Sequence, residues 1–160
     1  ENVMLGYWNK KADTEKVIKD GWLYTGDIGE INPEDGYLKI TDRKKDIIVS
    51  AGGDNISPAK IENKLSNFLE IDQCMVYGDG KNYLVVLIVP NKEFKGQKEK
   101  ISEIINKTNK NLTLVEKIKK FYLINENFSI ENGLLTPTMK VKRNKVVEKY
   151  KNILENLYKN

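Results

Sequence analysis

Three short stretches of the sequence gather residues that could do chemistry. The first runs from Thr41 to Glu62. It holds a charged knot (Asp42, Arg43, Lys44, Lys45, Asp46), an apolar run (Ile47, Ile48, Val49), a glycine pair (Gly52, Gly53) and a helix start at Ser57-Pro58. The second is Tyr24-Thr25-Gly26-Asp27, and the third is Thr136-Pro137-Thr138-Met139-Lys140-Val141-Lys142-Arg143. Lysine and arginine here can neutralise negative charge, and Asp27 can accept hydrogen bonds in a bidentate geometry. The glycine pair lets the backbone turn with φ > 0 and lets another molecule approach it closely. Histidine is absent. This excludes His-based triads, His proton shuttles and His-ligated metals, leaving Lys, Arg, Asp, Glu and Tyr to carry any reaction.

The elements that must position these residues can be read from periodicity. Ile47 to Val49 suits a short buried strand, because β-branched side chains fit a pleated, packed surface. Ser57 and Pro58 are expected as N-cap and N1 of a helix with Ile61, Leu65, Phe68 and Leu69 on its apolar face. Gln73–Tyr77 and Tyr83–Val89 read as strands joined by the Gly78-Asp79-Gly80 turn, hence a hairpin. Phe94–Asn106 and Leu112–Ile118 are amphipathic, Lys120–Ile124 is a third strand, 125–135 a loop, and Lys145–Leu157 a closing helix. Upstream, a short helical pattern around Ala12 to Ile18 precedes the 21–30 segment, a Pro33-Glu34-Asp35-Gly36 turn and a strand over Tyr37–Ile40. Intermixed strands and helices around one small mixed sheet make an α+β domain, with residues 1–42 as a β-rich piece of something larger and 43–160 as a second domain.

Composition narrows the function. A chain of 160 residues buries enough surface to fold without disulfides or metals. Its single cysteine, Cys74, lies in an apolar run and reads as a core residue, which fits a cytoplasmic setting or the cytosolic face of a membrane. No stretch approaches the roughly 18 apolar residues of a membrane span, and no signal peptide opens the chain. The start at Glu1 without methionine suggests a fragment. The net charge of +4 is spread along the sequence, and the basic 134–143 stretch lacks aromatics for stacking bases. No nucleic-acid partner is expected.

Taken alone, Asp27 could equally be a turn residue and the basic stretch an exposed loop. In order, however, the motifs resemble those of the adenylate-forming enzymes: acyl-CoA synthetases, luciferase and peptide-synthetase adenylation domains. Gly21-Trp22-Leu23-Tyr24-Thr25-Gly26-Asp27 is similar to the family motif whose aspartate binds the ribose hydroxyls of ATP. Asp42-Arg43-Lys44-Lys45 resembles the hinge, and Gly52-Gly53-Asp54-Asn55-Ile56 the glycine loop that Pro58 and Ile61-Glu62 follow. Phe128 to Arg143 is similar to the C-terminal signature of long-chain, bubblegum-type fatty acyl-CoA synthetases, with Met139 where other branches carry glycine. That substitution should stiffen the loop.

The resemblance implies a mechanism. Fatty acid and Mg-ATP give acyl-adenylate and pyrophosphate, and CoA then displaces AMP as the C-terminal domain swings between two orientations. It further implies Asp27 and Arg43 as nucleotide residues, Lys45 as the hinge and Lys140 as the adenylation lysine. Lys142 is the competing choice for that lysine. Gly52, Gly53 and Asp54 become the loop of the thioester step, with ATP and CoA as cofactors and no metal held by this chain. Mg2+ would bind mainly in the large domain, because the phosphate loop and acyl tunnel of the family precede this region. The expected partners are fatty acid, ATP, CoA and the remainder of the large N-terminal domain, and the full-length protein could associate peripherally with membranes. The fragment is expected to be inactive alone. The alternatives are a non-catalytic basic binding module or, within the family, a fatty acyl-AMP ligase.

Overall fold

The computed structural model describes residues 2–159 and divides into two compact units, Glu1–Lys45 and Asp46–Asn160. The first holds α1 (Lys11–Val17), a two-residue ladder of β1 (Ile18–Lys19) and β2 (Trp22–Leu23), and an antiparallel pair of β3 (Asp27–Ile31) and β4 (Leu38–Arg43). Side chains on β3 are all exposed, and both tryptophans of the chain, Trp8 and Trp22, stand in solvent. This unit has the form expected from its short strands and turns, a small β element without a core of its own.

The second unit is built around a three-stranded sheet in the order β7 (Ile71–Tyr77), β8 (Leu84–Pro90), β9 (Ile118–Leu123). β7 and β8 form the expected antiparallel hairpin, and β9 joins β8 in parallel after the crossover through α3 (Lys98–Asn109). Every residue of β8 is buried, which explains its unbroken apolar run. Leu84, Val86 and Ile88 face one core with Ile61 and Leu65 of α2 (Pro58–Ser66) and Ile101, Ile104 and Ile105 of α3. Val85, Leu87 and Val89 face the other, with Val146 of α4 (Arg143–Lys149) and Leu154 of α5 (Lys151–Tyr158). Full burial of each such side chain stabilises the fold by about 1.5–3 kcal/mol. The second unit is therefore an α+β domain whose small mixed sheet is covered by helices on both faces, in agreement with the expected class.

Three elements depart from expectation. Helix α2 stops at Ser66, where the Phe68 N–H bonds the Leu65 carbonyl in a tight turn, so Phe68 packs only partly and Leu69 is thrown into solvent, 84% exposed. The 112–118 segment is a short 3-10 turn over Leu114–Glu116 closed by a capping box between Thr113 and Glu116, and Ile118 already begins β9. The closing helix starts at Arg143 and bends at Tyr150, whose backbone leaves helical geometry (φ −104°, ψ 18°) while its ring packs near Phe128.

Side chains also stand in for backbone. Gln73 and Phe128 exchange two hydrogen bonds, as do Asn109 and Ile118. Tyr158 donates to the carbonyls of Tyr77 and Tyr83, and Tyr83 to that of Leu157, which docks the end of α5 on the sheet. Cys74 is buried as expected, and burial, reinforced by the nearby Glu62 charge, pushes its thiol up to about 12.

Glu116 ties α2 to the 3-10 turn through Lys60, 2.6 Å away. Burial opposes its ionisation, but hydrogen bonds from Lys60 and Thr113 outweigh that and hold the carboxyl below the usual range. A depressed folded-state pKa adds stability above the unfolded value of about 4.3 that is lost as pH falls through the folded one. Glu116→Gln is therefore expected to destabilise the chain at pH 7 and to flatten its loss of stability below about pH 4.3. Urea titrations of both proteins at several pH values measure this; parallel pH profiles would refute it.

Candidate functional site

Asp27 opens β3 and Arg43 closes β4, and the antiparallel register sets them opposite each other. A shift in register between Ile28 and Gly29 brings this pairing about. Arg43 Nε lies 3.0 Å from Asp27 Oδ1, and Nη2 donates to the Thr25 carbonyl at 3.3 Å. Gly26 turns the chain with φ +72°, and its carbonyl accepts from the Lys44 N–H at 2.8 Å. The turn alternative for Asp27 thus describes its backbone, whose N–H donates to Thr25 Oγ1, while the carboxylate faces Arg43. Such a half-exposed pair adds little stability. Its chemical content is a bidentate acceptor next to a planar donor. Lys45 is exposed at the last position of the first unit.

The glycine loop is the turn of a small hairpin between β5 (Ile48–Val49) and β6 (Asn55–Ile56). Ser50 closes it. The Ser50 N–H bonds the Asp54 carbonyl, the Gly53 N–H bonds the Ser50 carbonyl, and Ser50 Oγ contacts Gly52, Asp54 and the Asp54 carboxylate. Gly53 has φ +87°, a conformation that a side chain would strain. Gly52, Gly53 and Asp54 are all exposed, and a cleft of about 250 Å³ lies beside them. Sequence reasoning gave Ser50 no role. The available signal was the tendency of a serine hydroxyl to bond the backbone two residues on.

Lys140 occupies a separate turn. Its N–H donates to Thr136 Oγ1 at 3.1 Å and its carbonyl accepts from the Thr136 N–H at 2.8 Å. Leu135 and Val141 bridge at the base of this turn. Both Lys140 and Lys142 are exposed, and neither forms an ion pair with a described residue. Lys142 differs in lying at the N-terminus of α4, its N–H bonded to the Leu134 carbonyl. Met139 adopts φ +62°, a backbone region that glycine enters without steric cost.

Arg143, three residues beyond Lys140, anchors the turn to the sheet. Its Nη2 reaches both carboxylate oxygens of Glu62, at 2.6 and 2.5 Å, and Nη1 donates to the Val76 carbonyl. Glu62 Oε1 accepts from the Val76 N–H at 2.7 Å. Glu62 follows the glycine loop on α2, so residues flanking the glycine loop and the Lys140 turn meet on β7. A planar guanidinium that serves a carboxylate with one nitrogen and a backbone carbonyl with the other is a geometry that lysine cannot copy.

The family model for the AMP-binding enzyme C-terminal domain matches residues 45–160. Across 98% of its length the chain is 38% identical to the long-chain-fatty-acid–CoA ligase FadD15 of Mycobacterium tuberculosis, covering 30% of that protein. It is 39% identical to the long-chain-fatty-acid–CoA ligase 5 of Rattus norvegicus, covering 26% of it. Among solved structures, the adenylation domain of a carboxylate reductase from Mycobacterium chelonae superposes with a TM-score of 0.87 at 29% identity, over 96% of this chain and 26% of that one. The A domain of a carboxylic acid reductase from Segniliparus rugosus, in complex with AMP and a co-purified carboxylic acid, gives 0.85 at 26% identity over the same shares. The chain thus spans less than a third of the length of these proteins.

Substitutions at two positions test the lysine turn. Met139→Val places a β-branched residue at positive φ and is expected to lower stability by about 1–2 kcal/mol, whereas Met139→Gly should not lower it. Arg143→Ala takes the guanidinium away from the half-buried Glu62 carboxylate and is expected to lower stability by about 3 kcal/mol. Denaturant midpoints followed by circular dichroism report both. Equal midpoints for Met139→Val and Met139→Gly would contradict the backbone assignment.

Proposed function

The chain belongs to the family of AMP-binding enzyme C-terminal domains, and on that premise we propose that it is the C-terminal part of a long-chain fatty acid–CoA ligase. In the first half-reaction the fatty carboxylate attacks the α-phosphorus of ATP and pyrophosphate leaves. In the second, the CoA thiolate attacks the acyl carbonyl and AMP leaves. The observation that carries this reading is the exposed Lys140 ammonium, unpaired with any described carboxylate and held on a turn bonded twice to Thr136. An ammonium so placed is a point donor for phosphate oxygens on which charge builds up in the transition state. No side chain has to move a proton in that step, which agrees with a sequence without histidine.

Asp27 is assigned to the ribose hydroxyls, as an acceptor, and Arg43 to the same nucleotide beside it. The Mg2+ that accompanies ATP would be held by the remainder of the large domain. Lys45 is assigned as the hinge. Its place as the last residue of one compact unit, immediately before Asp46 of the next, supports this, because a hinge needs one or two residues that absorb a large φ/ψ change. One orientation of the domain would present Lys140, and the other would present Gly52, Gly53 and Asp54 to the thiol. The names of the relatives at 38–39% identity support a long-chain fatty acid as the acid. No helix among the described residues is long and apolar enough to cross a membrane.

The test uses the full-length parent with palmitate. Lys140→Ala is expected to reduce pyrophosphate release by roughly a hundredfold or more, while supplied acyl-adenylate still reacts with CoA. Lys45→Pro is expected to spare pyrophosphate release and block the second half-reaction. The isolated chain should release none. If neither variant disturbs either half-reaction, both residues are solvated surface and the assignment fails.

A further inference from the structure

We propose that Ser50 is a positioning residue for thioester formation, and that its hydroxyl holds the glycine loop in the shape offered to the thiol. The inference rests on the assignment of Gly52, Gly53 and Asp54 to that step. A serine hydroxyl has one proton to donate and two lone pairs to accept with. Ser50 uses all three within its own turn: Oγ donates to Asp54 Oδ2 at 2.9 Å and accepts from the N–H groups of Gly52 at 3.2 Å and Asp54 at 3.1 Å. Its backbone closes the same turn twice, to the Asp54 carbonyl and from the Gly53 N–H, each at 2.9 Å.

The footing of this clasp is separate from the clasp itself. Val49 donates its N–H to Asp79 Oδ1, Gly80 donates to the Val49 carbonyl, and Ala51 donates to the Lys81 carbonyl. These bonds pin residues 49–51 to the turn before β8, the most deeply buried strand. Beyond Ala51 the loop has no such support among the described residues. Gly52, Gly53 and Asp54 are exposed, and two successive glycines lose more conformational freedom on ordering than any other pair. Ser50 supplies the constraint that the glycines do not. A Cβ at Gly52 would touch the clasp, 3.3 Å from Asp54 Oδ2 and 3.5 Å from Ser50 Oγ, and the carboxylate would have to give by a few tenths of an ångström. Ser50, Gly52 and Asp54 line the cleft beside the loop together with Lys81, Tyr83 and Val115. The clasp therefore shapes one wall of a concave surface rather than a bare tip.

Because the loop is exposed, removing the hydroxyl should disturb its shape without unfolding the domain. In the full-length parent, Ser50→Ala is expected to lower kcat/KM for CoA in the reaction of supplied acyl-adenylate by about tenfold, the equivalent of one or two lost hydrogen bonds. Pyrophosphate release and the unfolding midpoint should stay at the parent's values, and Ser50→Thr, which keeps the hydroxyl, should restore most of the loss. Equal loss in both half-reactions, no loss in either, or no rescue by threonine would overturn the proposal. Amide hydrogen exchange at Gly52 and Asp54 gives a readout independent of catalysis, and Ser50→Ala is expected to accelerate both. Unchanged exchange would overturn the clasp while leaving the ligase reading intact. A parent that forms no acyl-CoA would overturn the ligase reading and with it the role of Ser50, whatever the exchange rates.

Discussion

The ion pair of Glu62 with Arg143 joins parts of the chain that are 81 residues apart, and much of the second unit is arranged around it. β7 is an edge strand, and an edge leaves backbone donors and acceptors without a neighbour. At Val76 the pair answers both: Glu62 takes the N–H and Arg143 supplies a proton to the carbonyl. Two side chains thus do locally what a fourth strand would do. The pair sits half-buried, where the desolvation of two charges cancels much of their attraction. Its main contribution is registry. It allows one placement of α2 against the sheet and one placement of the segment that carries Lys140.

The same device recurs. Gln73 with Phe128, and Asn109 with Ile118, each match a backbone N–H and carbonyl with a carboxamide's own acceptor and donor. Together they fasten the long 125–135 connection and the end of α3 to the sheet without further secondary structure. A small domain with exposed loops gains order this way, because every buried polar group left unmatched would cost about 1–3 kcal/mol.

Much of the fold was legible from periodicity. The run from Leu84 to Val89 could only be a strand covered on both faces, and the glycine turn before it fixed a hairpin. Less legible was whatever depended on register or on a single dihedral. Asp27 and Arg43 face each other only because β3 slips relative to β4, which no spacing rule encodes. Leu69 reads as part of an apolar helix face until a tight turn at Leu65 ends the helix before it. For the glycine loop and the Lys140 turn, the motifs marked where to look but not what holds them. Ser50, Thr136 and the partners of Glu62 are short-range or long-range hydrogen-bond solutions that appear only once the backbone is in place.

The two tryptophans, Trp8 and Trp22, both lie in the first unit and both stand in solvent, whereas the second unit carries its aromatics as phenylalanine and tyrosine. Indole emission from this polypeptide is consequently a private optical channel for the 1–45 segment. It should lie near the wavelength of a fully hydrated indole in the isolated chain and move to the blue wherever that segment is covered by the rest of a longer protein.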